Sequence, residues 1–215
     1  MTSSFAAIVD TPDEKEVFNE DDWSDPDKVG ITFYNKSKTL AEKFAWDFVK
    51  NNPNAPRLTV INPVLVTGPT LSKDIGVSNS MVDRLASGKL PMVTKVHIGF
   101  VDVRDVAFAH IAALTNVESD NERILVSEKV LWMDEVSKIL RNAGFNKAPK
   151  LIMPKWFMQI LGLFRNDLVM VLPMIGKRRD INSTKAKDIL KWNPISAEES
   201  IVETANQMKE FGLIK

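Results

Sequence analysis

The clearest fold signal in the sequence is residues 57–69, which read RLTVINPVLVTGP. β-Branched residues predict a short strand over 57–61, and the prolines and the glycine after it predict a turn-rich loop over 64–69. An apolar 3.6-residue period over residues 31–51, stopped by Pro53, predicts a helix before this strand. A strand that leads from a helix into such a loop is typical of α/β sheets, which bind ligands beyond the carboxyl ends of their strands.

Strands and helices alternate along the rest of the chain. Further strands are predicted over residues 5–9, 100–103 and 123–126. Further helices are predicted over residues 78–87, 106–114, 133–142, 184–190 and 198–211. This order predicts the α/β class, with a parallel sheet covered by helices.

The composition excludes several classes of function. The 28 Lys and Arg residues balance the 28 Asp and Glu residues, so the chain lacks the basic footprint of proteins that bind phosphate backbones, and nucleic acid is not an expected partner. The chain contains no cysteine, which excludes disulfides, thiolate nucleophiles and zinc–cysteine sites. Its two histidines, His97 and His110, lack metal-ligand spacing and are expected to be structural, so no metal site is predicted.

Two apolar segments bear on membrane attachment. The run over residues 5–9 is too short for a signal peptide. The stretch over residues 156–175 is divided by Arg165-Asn166-Asp167 into pieces shorter than the roughly 20 residues that a spanning helix needs. We expect this stretch to form a substrate lid or a subunit contact, with attachment to a membrane surface as the minor alternative. No transmembrane segment and a cytoplasmic location are therefore expected.

Tyr34 and Lys38 stand four residues apart at the start of the predicted helix over 31–51. This spacing places both side chains on one helix face, with their Cβ atoms about 5–6 Å apart. A tyrosine is a poor acid or base at neutral pH, but a neighbouring ammonium favours its phenolate form. Such a pair can serve as a general acid or base in carbonyl reduction or alcohol oxidation. The spacing alone is a weak signal, because ordinary helices contain the same pair by chance.

Several ordered motifs accompany the Tyr–Lys pair. They read TSSFAA at residues 2–7, YNKSKTLAEK at 34–43, NPVLVTGP at 62–69, FVDVRDVA at 100–107, WNPI at 192–195 and EESI at 198–201. Together they resemble the signature of the extended short-chain dehydrogenase/reductases, within the NAD-dependent epimerase/dehydratase superfamily and specifically its dihydroflavonol reductase-like branch. The resemblance runs almost to the end of the chain.

The resemblance implies three catalytic residues. Tyr34 matches the tyrosine that protonates the substrate oxygen as hydride arrives from the nicotinamide, and Lys38 matches the lysine that holds the nicotinamide ribose hydroxyls. Ser4 matches the serine that donates a hydrogen bond to the substrate carbonyl, with Ser3 as the less favoured candidate. The alternative for Ser4 is a strand-end serine that caps its own backbone.

The resemblance also implies cofactor contacts, to NADP(H) in preference to NAD(H). The backbone of Pro63, Val64, Leu65 and Val66 matches the loop that contacts the nicotinamide carboxamide, together with Tyr34 and Lys38. Ser78 matches a serine at the start of the next helix that approaches the cofactor phosphates, and the alternative for Ser78 is a plain helix N-cap.

The implied fold is a partial Rossmann-like parallel sheet with helices on both faces. Residues 1–150 are expected to form the C-terminal part of an NAD(P)-binding Rossmann domain, and residues 151–215 a small helical substrate-binding region interleaved with it in space. The sequence departs from the family because it contains no G-x-G-x-x-G motif, which the resemblance places before Met1. We therefore expect a fragment, an incomplete gene product or a chain that needs a partner.

The implied function is NADPH-dependent reduction of a ketone or aldehyde, or oxidation of the corresponding secondary alcohol, by a Ser–Tyr–Lys mechanism. The alternatives are a sugar-nucleotide epimerase or dehydratase of the same superfamily and a non-catalytic truncated module. The expected partners are a small carbonyl or alcohol substrate and a second copy of the chain in a homodimer. The substrate pocket is expected to include Trp156, Phe157, Phe164 and Met170, which suggests an apolar substrate.

Overall fold

The computed structural model describes residues 1–162 and 171–214, in which seven α-helices alternate with seven short strands. The strands are β1 (Val17–Phe18), β2 (Val60–Pro63), β3 (Leu65–Thr67), β4 (His97–Asp102), β5 (Arg123–Val126), β6 (Lys129–Trp132) and β7 (Asp180–Ile181). The helices are α1 (Phe33–Asn51), α2 (Gly76–Ala86), α3 (Val103–Thr115), α4 (Met133–Asn142), α5 (Lys155–Gly162), α6 (Thr184–Leu190) and α7 (Ala197–Glu210). This confirms the α/β class.

The described residues divide into two compact units, and each unit is assembled from three separate segments. The first unit contains residues 1–64, 104–128 and 179–194. The second contains the described residues within 65–103, 129–178 and 195–215. The predicted division into residues 1–150 and 151–215 stays a prediction.

The first unit is built on two parallel strand pairs. β2 pairs with β5 so that Val60 lies opposite Arg123, and a single parallel bridge joins Thr2 to Ile61. Strands β1 and β7 form the second parallel pair. All four residues of β2 are buried, as expected for a parallel strand whose faces are both covered.

The second unit contains a three-stranded sheet in the order β3-β4-β6. β3 pairs with β4 in parallel, and β4 pairs with β6 in antiparallel orientation. Helices α2, α4 and α7 pack together beside this sheet, and their inward residues Leu85, Leu140 and Ile201 are fully buried with Phe100 of β4. β6 was not predicted, because its four residues mix a lysine with apolar residues and lead directly into α4.

The apolar run over residues 5–9 forms a short 3-10 helix, Phe5–Ala7, and the predicted strand is wrong. The Ala7 N–H donates to the Ser4 carbonyl at 3.0 Å, which curls the chain before a strand ladder can form. The run is apolar because Ile8 and Val9 are buried in the core of the first unit beside Leu125. Burial alone does not distinguish a strand from a turn in so short a run.

The apolar stretch over residues 156–175 is described only at its two ends. Residues 155–162 form α5, and Leu172–Met174 form a 3-10 helix. The predicted break at Arg165-Asn166-Asp167 lies outside the described residues, and the predicted lid or subunit contact lies partly outside them. Among the helices that the structure describes, none is long and apolar enough to cross a membrane.

Candidate active site

Helix α1 presents Tyr34 and Lys38 in its first two turns. Thr32 caps the helix by accepting the Asn35 N–H at 3.0 Å, and the Asn35 amide donates to Asp10 Oδ2 at 2.6 Å, which fixes the helix start. The Lys38 Nζ atom lies 5.9 Å from the centroid of the Tyr34 ring, and the Tyr34 side chain is 57% exposed. The structure therefore brings the predicted pair together on one face, with the phenol open to a ligand.

Ser4 is the N-cap of the 3-10 helix Phe5–Ala7, against which α1 packs. Its Oγ accepts the Ala6 N–H at 3.1 Å, so the capping alternative predicted for Ser4 is present. Capping uses only a lone pair of the hydroxyl, and the O–H remains able to donate to a substrate oxygen. The two interpretations of Ser4 are therefore compatible.

Ser3 has a different environment from its neighbour. It is only 3% exposed, and its hydroxyl donates to Glu42 Oε2 at 2.5 Å. A hydroxyl whose proton is committed to a buried carboxylate is not available to polarise a carbonyl. This contact supports the preference for Ser4 over Ser3.

Glu42 is a functional candidate that the sequence analysis missed. It lies on α1 one turn beyond Lys38, is fully buried, and also accepts from Asn62 Nδ2 at 2.8 Å and from Arg123 Nε at 2.6 Å. The signal that could have found it is its spacing, because Tyr34, Lys38 and Glu42 recur every four residues. A carboxylate on the buried side of a helix requires compensating donors.

The acidic loop over residues 10–27 is fixed to the body of the first unit. Phe18 is buried against Phe5, with ring centroids 5.8 Å apart, and the guanidinium of Arg123 lies 3.7 Å from the Trp23 ring centroid. The Glu20 carboxylate accepts the Leu125 N–H at 3.0 Å. Burial raises the pKa of Glu20, and the hydrogen bond from Leu125 opposes this shift only in part.

The predicted cofactor loop falls at the end of β2 and in β3. Pro63 is the buried last residue of β2, and the Val64 N–H donates to the Val126 carbonyl at 3.3 Å, both within the first unit. Leu65 and Val66 belong to the second unit, where β3 is an edge strand of its sheet among the described residues.

Ser78 lies in α2 of the second unit. This helix begins at Gly76, two residues before its predicted start, so Ser78 is its third residue. The N-cap is Ile75, without a side-chain cap, so the alternative that Ser78 is a plain N-cap is wrong. Its predicted contact with cofactor phosphates stays a prediction.

Both histidines have partners within the protein. His110 Nε2 lies 2.7 Å from Thr2 Oγ1, and its Nδ1 lies 2.8 Å from the Val106 carbonyl. His97 stacks on Trp132 with ring centroids 4.5 Å apart. Across residues 1–162 and 171–214, no group of three or more metal-ligating side chains could hold an ion.

The predicted pocket lining is only partly described. Trp156 and Phe157 lie on α5 with their ring centroids 5.7 Å apart, and Trp156 is largely exposed. Phe164 and Met170 lie outside the described residues.

The donor set around Tyr34 fits the nicotinamide end of a dinucleotide. Lys38 carries three N–H donors, and Tyr34 carries a hydroxyl beside them, which together suit the hydroxyls of a ribose. The G-x-G-x-x-G motif that binds a pyrophosphate does not occur in the 215 residues.

The chain is similar to several known proteins. No protein-family profile matches the chain. The NADPH-dependent methylglyoxal reductase GRE2 of Saccharomyces cerevisiae is 29% identical across 98% of this chain and 63% of its own length. The cinnamoyl-CoA reductase CAD2 of Medicago truncatula is 33% identical across 98% of this chain and 60% of its own length. The chain therefore spans less than two thirds of these relatives.

Solved structures show the same likeness. The crystal structure of yeast methylglyoxal/isovaleraldehyde reductase Gre2 complexed with NADPH has a TM-score of 0.75 at 28% identity, covering 99% of this chain and 64% of that one. A nucleoside-diphosphate-sugar epimerase from Pseudomonas aeruginosa also has a TM-score of 0.75, but at 17% identity it shows the fold alone.

The parallel strand pairs and these likenesses place the chain among the short-chain dehydrogenase/reductases. The chain belongs to the extended branch of that superfamily, which confirms the resemblance found in its sequence.

Proposed function

We propose that this chain is part of an NADPH-dependent oxidoreductase that reduces a ketone or aldehyde, or oxidises the corresponding secondary alcohol. The observation that carries the proposal is the Lys38 ammonium 5.9 Å from the exposed ring of Tyr34, on a helix that packs against the turn bearing Ser4. The names of the relatives support this chemistry, since GRE2 is an NADPH-dependent reductase and CAD2 is a cinnamoyl-CoA reductase.

The proposed mechanism assigns one task to each of the three side chains. Ser4 donates its O–H to the carbonyl oxygen of the substrate and orients the carbonyl. Tyr34 transfers its phenolic proton to the same oxygen as negative charge develops there. Lys38 binds the ribose hydroxyls and stabilises the phenolate that Tyr34 becomes. A reduced nicotinamide supplies the hydride when it is bound.

The predicted cofactor contacts of Pro63, Val64, Leu65, Val66 and Ser78 belong to this proposal. A cytoplasmic location and a homodimer belong to it as well. Light scattering on the purified chain tests the dimer, because it separates the mass of one copy, 24.2 kDa, from that of two. Fractionation of cells that express the chain tests the location.

A non-catalytic module is the second candidate, because the chain lacks the G-x-G-x-x-G motif that holds a pyrophosphate. The experiment that separates the candidates is NADPH binding, followed by nicotinamide fluorescence, with circular dichroism to verify folding. Micromolar binding followed by turnover of small aldehydes or ketones supports the reductase. A folded chain that neither binds NADPH nor turns over substrate supports the module, and turnover of sugar nucleotides alone indicates an epimerase or dehydratase.

A further inference from the structure

Glu42 lies at the centre of a buried polar network in the first unit. Its Oε2 accepts from Ser3 Oγ at 2.5 Å and from Asn62 Nδ2 at 2.8 Å, and its Oε1 accepts from Arg123 Nε at 2.6 Å. The indole N–H of Trp46 lies 3.5 Å from the same Oε1. Both oxygens are therefore satisfied, by donors from four different parts of the chain.

The charge of Glu42 is balanced inside the protein. Arg123 is 8% exposed, and its Nη1 also donates to the carbonyls of Glu20 and Asp22 at 2.5 and 2.7 Å. A buried ion pair of this kind is a poor source of stability, because desolvation of both charges offsets their attraction. Its hydrogen bonds, however, fix the positions of the groups that donate them.

Two of the side chains that donate to Glu42, Ser3 and Asn62, are sequence neighbours of residues in the candidate site. Ser3 precedes Ser4, and Asn62 precedes Pro63. The Asn62 amide also donates to the Ser4 carbonyl at 3.2 Å. Glu42 itself is on the helix that carries Tyr34 and Lys38. One carboxylate thus joins the Ser4 segment, the end of β2 and the Tyr–Lys helix.

We propose that Glu42 is a positioning residue, whose carboxylate holds Ser4 and the Tyr34–Lys38 helix in the relative placement that proton delivery to the substrate requires. Glu42 does not touch the reacting atoms and acts through Ser3, Asn62 and the geometry of α1. The inference rests on the proposed function for its catalytic consequence. The structural part, the placement of Ser4 and Tyr34, stands on the contacts alone.

The test replaces the ion pair by unbranched apolar side chains, in the double variant Glu42→Met with Arg123→Met. This change removes the hydrogen bonds to Ser3 and Asn62 without leaving a buried charge unpaired. It also takes the Arg123 donor from the carbonyls of Glu20 and Asp22, so circular dichroism first verifies that the variant is folded. Because opposite charges are removed together, the electric field at Tyr34 changes little. Glu122→Gln is the matched control, since Glu122 forms a partly exposed ion pair with Lys185 at 2.8 Å in the same unit.

Two readouts report position without any turnover. Hydrogen exchange at the Ala6 N–H follows the bond to Ser4 Oγ, and the N–H of Ala109, a buried residue of α3 in the same unit, is the reference for global opening. A ¹³C label in the ring of Tyr34, which is the single tyrosine of the chain, gives one resonance. We expect Ala6 exchange relative to Ala109 to accelerate about tenfold or more, and the Tyr34 resonance to shift or broaden. The control should change neither.

Turnover supplies the catalytic readout. For NADPH-dependent aldehyde reduction, we expect kcat to fall by about 100-fold while the carbonyl KM stays within about threefold, as for a misplaced catalytic group. Ser3→Ala removes one donor to Glu42 and should change exchange, resonance and kcat in the same direction by smaller amounts. If the double variant does not fold, the Ser3→Ala variant alone tests whether Glu42 positions Ser4 and Tyr34.

The outcomes separate the inference from the proposed function. Unchanged Ala6 exchange and an unchanged Tyr34 resonance in a folded variant would overturn the positioning role, whatever the activity. Absence of reductase activity in the unmodified protein would count against the proposed function, and the exchange and resonance data would still decide whether Glu42 positions Ser4 and Tyr34.

Discussion

The amide of Asn62 donates a hydrogen bond of 3.2 Å to the Ser4 carbonyl, so the backbone of the candidate catalytic serine is held by the residue that precedes Pro63. Asn62 is fully buried and shares its amide with Glu42. The position of Ser4 therefore depends on residues that are remote from it in sequence. The roles proposed for Ser4, Tyr34 and Lys38 can each be tested by a separate substitution.

Ser4→Ala should reduce turnover by about 100-fold, because the substrate oxygen loses a hydrogen-bond donor. It should also lower the free energy of unfolding by about 1 kcal/mol, because the Ala6 N–H loses its cap. Ser4→Gly is the matched control, since glycine is tolerated at N-caps at little cost but carries no side-chain donor; it should keep most of the stability and lose the turnover. Steady-state kinetics and urea unfolding measure both effects, and an active Ser4→Ala enzyme would refute the role of Ser4.

Tyr34→Phe should lower kcat by about 100-fold or more, because the variant retains the ring but has no proton to transfer. The side chain is 57% exposed, so the free energy of unfolding should change by less than about 0.5 kcal/mol. Thermal melting by circular dichroism checks the stability, and NADPH oxidation checks the rate. Normal turnover in this variant would exclude Tyr34 as the acid.

Lys38→Met should weaken NADPH binding and reduce turnover, because the ribose loses a charged donor and the phenolate loses its neighbouring ammonium. The matched control is Lys36→Met on the same helix, whose ammonium pairs with the exposed Asp27 at 3.1 Å. A surface pair of this kind contributes less than about 1 kcal/mol, so the control should behave like the unmodified protein. Equal effects of the two substitutions would contradict a specific role for Lys38.

Glu20→Gln should change how stability depends on pH. Burial raises the pKa of Glu20 from its ordinary value of about 4.5, so the folded state favours the protonated acid. The stabilisation from this protonation is complete below pH 4.5 and is lost as the pH rises through the raised pKa. The difference in the free energy of unfolding, variant minus unmodified protein, should therefore grow as the pH rises above 4.5. Urea unfolding between about pH 4 and 8 measures it, and a difference independent of pH would contradict the shift.

Gly68→Ala should destabilise the second unit by about 2–4 kcal/mol. Gly68 has φ of +113°, and a Cβ there would lie 2.8 Å from Asp102 Oδ2 and 3.0 Å from Val103 Cγ1. Gly76→Ala is the matched control, because Gly76 also has positive φ but no atom within 4 Å of the added Cβ. The control should cost about 1 kcal/mol, from the left-handed backbone alone. A similar loss in the free energy of unfolding for the two variants would contradict this prediction, because it would mean that the neighbours of Gly68 move aside for the added Cβ.

Much of the secondary structure follows from local pattern. The bounds of α4, α6 and β5 coincide with their predictions, and α1 differs by two residues at its start. Their signals are repeated apolar positions, caps and β-branched runs, all of which act over a few neighbouring residues. The run over residues 5–9 was misassigned because its apolar character comes from burial against Leu125, which depends on the surrounding fold and does not require a strand.

The sequence by itself determined the class of the protein, because several motifs occur in the family's order along the chain. It also determined the Tyr34–Lys38 pair, because a four-residue spacing on a helix fixes two side chains on one face regardless of the rest of the chain. Only the tertiary structure decided which serine is free to donate and where Glu42 lies. Glu42 meets Asn62, Ser3 and Arg123 across 20, 39 and 81 positions of sequence. No local rule specifies such contacts, since they form only when packing removes the carboxylate from water and its donors must come from whichever segments surround it.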